Sequence, residues 1–163
     1  MNVGVSWRGG NRPEIKRRKS TRLQQWSELL STSNVTFVNL QYGLDSEERT
    51  LIDSAESARL RHWRHPDPLT EFDDFASLVG ALDLVISVSN TTAHLAGALG
   101  VPVWVLLPDI PDWRWQLERS DSAWYASARL FRQQTAGDWK GVLRDVGAEL
   151  RGLGVLDLRP PNG

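Results

Sequence analysis

Short β-branched runs alternate with stretches of helical spacing along most of the chain. Val3–Trp7, Val35–Leu40, Leu84–Val88 and Val103–Leu107 read as strands, with Leu60–Trp63 and Ala128–Phe131 as weaker ones. Leu23, Trp26, Leu29 and Leu30 fall on one helical face, and Phe72, Phe75, Leu78, Val79 and Leu82 make a cleaner stripe. Asp45 followed by Glu48 is a capping-box pair that predicts a helix running to about Ser57. Ser89 or Asn90 can cap a helix over Thr91–Leu99 that stops at Gly100. Trp139–Leu153 carries a last amphipathic helix. Such alternation predicts one three-layer α/β/α domain with a mostly parallel sheet of about six strands. The LVISV run, Leu84–Val88, is apolar on both faces, so it belongs near the centre of the sheet. The domain is expected over residues 1–155, with a flexible tail over 156–163.

Residues 8–22 break the pattern. Arg8, Arg12, Lys16, Arg17, Arg18, Lys19 and Arg22 face only Glu14, and the segment reads as a polar, basic loop. A second loop-rich stretch, residues 108–127, contains Pro108, Pro111, Trp113, Trp115, Trp124 and Tyr125.

The 163 residues suit one domain and leave no room for two full nucleotide folds. The net charge of −1 argues against a nucleic-acid-coating protein. With no cysteine, disulfides, thiolate metal sites and cysteine nucleophiles are excluded. Three histidines without an HExxH give little for zinc. No apolar run approaches the roughly 20 residues of a membrane span, and no secretory signal is visible, so a cytoplasmic protein is expected. Both the GxGxxG fingerprint and the GxxxxGK[ST] loop are missing.

In an open parallel sheet, ligands bind beyond the carboxyl ends of the strands. The residues there are Ser6, Trp7 and Arg8 after the first strand, Gln41 and Tyr42 after the second, and Ser89, Asn90, Thr91 and Thr92 after LVISV. The SNTTAH segment is the strongest candidate. Its small polar side chains stand where free N–H groups and the positive helix end suit a diphosphate. His94, one turn on, can donate to a phosphate oxygen. The competing reading is a plain N-cap with a packed histidine. The basic loop can add a clamp on the same phosphates, although most of its charges read as solvated. Trp26 and Trp139 read as packing residues. Asp73 and Asp74 read as first-turn acids stabilised by the helix dipole.

DLVISVSNTTAHLAGALGVPVWVLLP (Asp83–Pro108) resembles the nucleotide-sugar domain of bacterial tetratricopeptide-repeat glycosyltransferases. That family is related to lipopolysaccharide heptosyltransferases and, more distantly, to O-linked N-acetylglucosamine transferase. GVSWRGG (Gly4–Gly10), TFVNLQYG (Thr36–Gly43) and PDWRWQLERSDSAWYASARLFRQ (Pro111–Gln133) match further segments in order. The resemblance implies a Rossmann-like half of a GT-B enzyme that holds a nucleoside diphosphate sugar as donor without an obligatory metal or other cofactor. It implies donor contacts at Ser6, Trp7, Arg8, Gln41, Ser89, Asn90, Thr91, Thr92 and His94, with Tyr42 or Glu47 as alternatives at the ribose. Heptosyltransferases carry an aspartate where this chain has Ser89, so the carboxylate's role does not transfer.

The acceptor-binding N-terminal domain of that architecture has no counterpart here. The expected partners are therefore the nucleotide sugar and either an acceptor domain on another chain or a second copy of this one. Apolar residues near the ligand edge, among Trp7, Tyr42, Trp113 and Trp115, are expected to be exposed for that contact. No catalytic residue is assigned. A histidine held to donate to phosphate is badly placed to accept a proton, and Asp109 is a weaker substitute. The alternatives are a non-catalytic nucleotide- or sugar-phosphate-binding or scaffolding module, a split-gene remnant, or a small regulatory protein for phosphate ligands.

Overall fold

A computed structural model of the chain describes residues 1–10, 12–54, 59–63 and 65–156, with side chains up to residue 153. Six strands form one sheet: β1 (Asn2–Ser6), β2 (Thr36–Asn39), β3 (Leu60–Arg61), β4 (Leu84–Val88), β5 (Val103–Leu107) and β6 (Ala128–Arg132). Their order is β3-β2-β1-β4-β5-β6, and every pairing is parallel. The helices are α1 (Pro13–Lys19), α2 (Ser27–Leu30), α3 (Ser46–Asp53), α4 (Phe72–Gly80), α5 (Thr91–Ala98) and α6 (Trp139–Leu156).

The sheet separates two cores. One packs Trp26, just before α2, together with Leu29 of α2, Ile52 of α3 and Trp139, Val142 and Val146 of α6 against Val3, Val5, Ile86, Val88 and Leu106. The other packs α4 and α5 through Phe75, Val79, Ala93 and Ala96 against Val38, Val85, Val103, Val105 and Leu130. All five residues of β4 are buried, as a strand covered on both faces requires. The expected α/β/α fold with LVISV in the middle of the sheet is what forms. Strand order reverses between β1 and β4, which puts the switch point of the sheet at the carboxyl ends of those two strands.

Three local readings need correction. Residues 8–22 are not simply a loop, because Pro13 at the helix start and four following cations build α1, which buries none of its residues. The helix opened by the Asp45–Glu48 capping box ends at Asp53, where Ser54 turns to extended backbone. The remainder of that prediction falls partly on residues 55–58, outside the described residues, and most of the expected tail lies there too. Finally, Trp7 and Trp115 are fully buried rather than exposed at the ligand edge, while Trp113 is 68% exposed and Tyr42 is partly buried. No helix among the described residues is long and apolar enough to cross a membrane.

Trp26 is fully buried between α2, α6 and the sheet, and its Nε1 donates to Thr21 Oγ1 at 2.7 Å. Trp26→Ala is expected to cost about 3–5 kcal/mol in urea denaturation, the range for deleting a buried large aromatic. Trp63→Ala, at a side chain 54% exposed, should cost well under that.

Candidate functional site at the carboxyl edge of the sheet

The ends of β1 and β4 are tied together by Asn90. Its Nδ2 donates to Ser6 Oγ at 2.7 Å and to the Arg8 carbonyl at 2.9 Å. Its Oδ1 accepts from the Ala93 N–H, capping α5, and lies 2.9 Å from Ser87 Oγ. Close approach here requires Gly9: a Cβ at that position would lie 2.9 Å from Asn90 Cβ and 3.0 Å from the Ser89 carbonyl. The SWRGG and SNTT loops therefore share one edge of the sheet.

Ser6 passes the connection on by donating to Gln41 Oε1 at 3.1 Å. That oxygen also accepts from the Trp7 and Arg8 backbone N–H groups at 3.0 and 2.7 Å. Gln41 thus fills the amide groups that the first-strand loop would otherwise present to a ligand. Arg8 is also committed. Its Nε and Nη2 donate to the two oxygens of Glu48 at 2.6 Å each, and Nη2 reaches the Gly43 carbonyl at 2.8 Å. Trp7 Nε1 donates to Glu48 at 2.7 Å. Ser89 Oγ accepts from Trp115 Nε1 at 2.7 Å. Glu47 sits exposed on α3, where it accepts from Gln24 Nε2 at 2.6 Å.

The groups left facing the start of α5 come from elsewhere. Thr91 is exposed and Thr92 is buried, with its Oγ1 unpartnered in the first turn of the helix. A helix start also presents N–H groups without intrahelical acceptors. His94 stacks on Trp115 with ring centroids 5.1 Å apart, and its Nδ1 lies 3.0 Å from the Tyr125 hydroxyl. Tyr125 lies flat on α5 at Gly97, where a Cβ would meet the ring at 2.5 Å. Lys19, at the end of α1, approaches Asp112 at 3.6 Å, and Asp112 also pairs with Arg114 at 2.8 Å. Burial chiefly, then Arg114 and Lys19, hold the His94 imidazole below its ordinary range, with Asp112 opposing them.

Beside this point, at the ends of β2 and β3, lies a cleft of about 490 Å³ lined by Asn39, Gln41, Tyr42, His62, Trp63 and Leu69, among others. Its size is within the range of small-molecule sites, roughly 300–1,000 Å³. Asn39 Nδ2 meets His62 Nδ1 at 2.9 Å. Sequence reasoning missed Asn39, His62 and Trp63 because Leu60–Trp63 gave only a weak strand signal. It also gave Lys19, Arg114 and Tyr125 no individual role, although the basic loop and the PDWRW segment pointed at their neighbourhoods.

The fold defines a doubly wound, all-parallel α/β domain with a polar switch point between β1 and β4. No family model matches the chain. It is 34% identical over 151 residues to Protein FlbA of Caulobacter vibrioides (strain ATCC 19089 / CIP 103742 / CB 15), an alignment covering 91% of this chain and 25% of that protein. The chain thus spans about a quarter of the length of this curated relative.

Two outcomes test the site's architecture. Glu48→Ala leaves the partly buried Arg8 guanidinium and the Trp7 indole without their acceptor. It is expected to destabilise the fold by about 3–5 kcal/mol in denaturant titration, as breaking a buried ion pair does. The second outcome concerns pH. A histidine whose folded value lies below its unfolded value of about 6.5 binds fewer protons when folded, so stability falls as pH drops through that window. His94→Gln should flatten the decline in melting temperature between about pH 7 and 5 relative to the unsubstituted chain.

Proposed function

We propose that this chain is the donor-binding half of a GT-B glycosyltransferase and binds a nucleoside diphosphate sugar. The observation that carries the reading is the start of α5 at the switch point, with the buried, unpartnered Thr92 hydroxyl in its first turn. A helix start with free donors favours phosphate. Lys19 and Arg114 add positive charge there, and among the described residues only Asp112 forms an ion pair with them. The cleft at the ends of β2 and β3 supplies room for the nucleoside, with Tyr42 and Trp63 as aromatic walls and Asn39 and His62 as polar groups. The resemblance of Asp83–Pro108 to nucleotide-sugar domains supports the same assignment.

In this reading the diphosphate meets the Thr91 and Thr92 end of α5, and His94 Nε2 serves as a neutral donor. Asn90, Ser6 and Gln41 hold the edge in place. Arg8 supports the site through Glu48. Transfer itself needs an acceptor hydroxyl held in line and a base for its proton. Positioning of that kind is worth roughly 7–11 kcal/mol of barrier. His94 Nδ1 is engaged with Tyr125, and Arg8 and Glu48 neutralise each other, which favours a second reading in which the 163-residue chain alone binds without transferring.

Calorimetric titration with UDP, GDP and ADP tests both. One of them is expected to bind, and Lys19→Ala should weaken it about ten- to a hundredfold, the loss of one charge-assisted phosphate contact of about 1.5–3 kcal/mol. Absence of heat with all three at millimolar concentration would sink the donor-site reading. Sustained release of nucleoside diphosphate from a donor sugar by the purified chain would sink the second.

A further inference from the structure

Arg132 ends β6 at the carboxyl edge of the sheet, two strands from β4. Strand alternation puts it on the face of Leu130, the face that α4 and α5 cover. Its Nη2 donates to the Trp115 main-chain carbonyl at 3.3 Å. Its Nη1 is buried and meets no acceptor. No carboxylate forms an ion pair with it among the described residues. Arg132 as a whole is only partly buried, and desolvating part of a guanidinium without a counter-charge is unfavourable.

The neighbouring arginines show what the fold does elsewhere. Arg129, on the opposite face of the same strand, gives both terminal nitrogens to Glu149 at 2.8 Å. Arg8 is neutralised by Glu48. Arg132 receives only a neutral carbonyl, although an apolar side chain of similar length would fill the space without the charge. Gln133 Nε2 is also buried and unpartnered, but alternation sends it to the other face. The argument therefore rests on Arg132.

We infer that Arg132 is an anion-recognition residue, its guanidinium receiving a carboxylate or phosphate group of a ligand at the carboxyl ends of β5 and β6. The guanidinium fork suits a two-oxygen anion. Adjacent strands lie about 4.8 Å apart, which sets this point roughly 10 Å across the sheet from the end of β4. Trp115 stands between the two, its indole toward Ser89 and His94 and its carbonyl toward Arg132. The point is thus distinct from the start of α5 and holds whether or not a nucleotide binds there.

The test uses the 163-residue chain with Arg132→Met and Arg132→Lys. The probes are inorganic phosphate and glucuronate, each compared with chloride at matched ionic strength. The readouts are melting temperature and the Arg132 Nε–H and Trp115 indole N–H resonances. At least one probe is expected to shift those resonances saturably and to raise the melting temperature beyond the chloride effect. A response to phosphate alone identifies a phosphate group as the source, and a response to glucuronate alone a carboxylate. Arg132→Met should weaken the responding probe at least tenfold while melting no lower than the unsubstituted chain, and Arg132→Lys should keep part of the response. The inference is overturned if neither probe exceeds chloride, or if Arg132→Met binds as the unsubstituted chain does. Should Arg132→Met fail to fold, the titration of the unsubstituted chain against Arg132→Lys decides by the same criteria.

Discussion

Asn90 is the residue on which the carboxyl edge depends. At the switch point of a doubly wound sheet, β1 and β4 diverge into different loops, and nothing in the ladder itself holds those loops together. Asn90 does so with one amide. Its nitrogen reaches Ser6 and the Arg8 carbonyl, while its oxygen closes the first turn of α5. Ser6 then donates to Gln41, so a single line of hydrogen bonds crosses the ends of β4, β1 and β2. All three side chains are buried, and buried polar groups of this kind specify one arrangement only when each is satisfied.

That satisfaction decides which residues remain for a ligand. The amides after β1 are filled by Gln41, and the arginine beside them by Glu48. On the proposed reading, what remains for a ligand is the start of α5 and the two segments beside it, α1 and residues 108–116. These segments meet through Lys19, Asp112 and Arg114. Two cations share one carboxylate there, and they add to burial, the chief cause, in disfavouring a charged His94.

How much of this was legible in the sequence follows from the range of each interaction. β4 declared itself because five consecutive apolar residues have few other uses, and the caps of α3 and α5 depend on residues three apart. The position of the SNTTAH segment followed from the fold rule alone. What the sequence could not disclose were pairings across 33 to 41 residues: Gln41 under the Trp7 and Arg8 amides, and Glu48 against Arg8 and Trp7. Trp7 ends a strand at the ligand edge, so exposure was a fair expectation, yet its indole turns inward to a carboxylate contributed by α3. α1 escaped notice because it buries nothing and so leaves no apolar period to read.

The cations on and beside the sheet sort by counter-charge rather than by position in the chain. Arg8 and Arg129 meet carboxylates in two-pronged contacts, and each is thereby a structural element. Lys19 and Arg114 share Asp112, which leaves the start of α5 short of negative charge. Arg132 has a neutral carbonyl where the others have an acid. A chain with a net charge of −1 contains enough acids to pair these groups. Leaving positive charge underpaired along the carboxyl edge, from the start of α5 to the end of the outer strand β6, is therefore a local arrangement rather than a consequence of composition, and it is the feature on which the proposed anion binding rests.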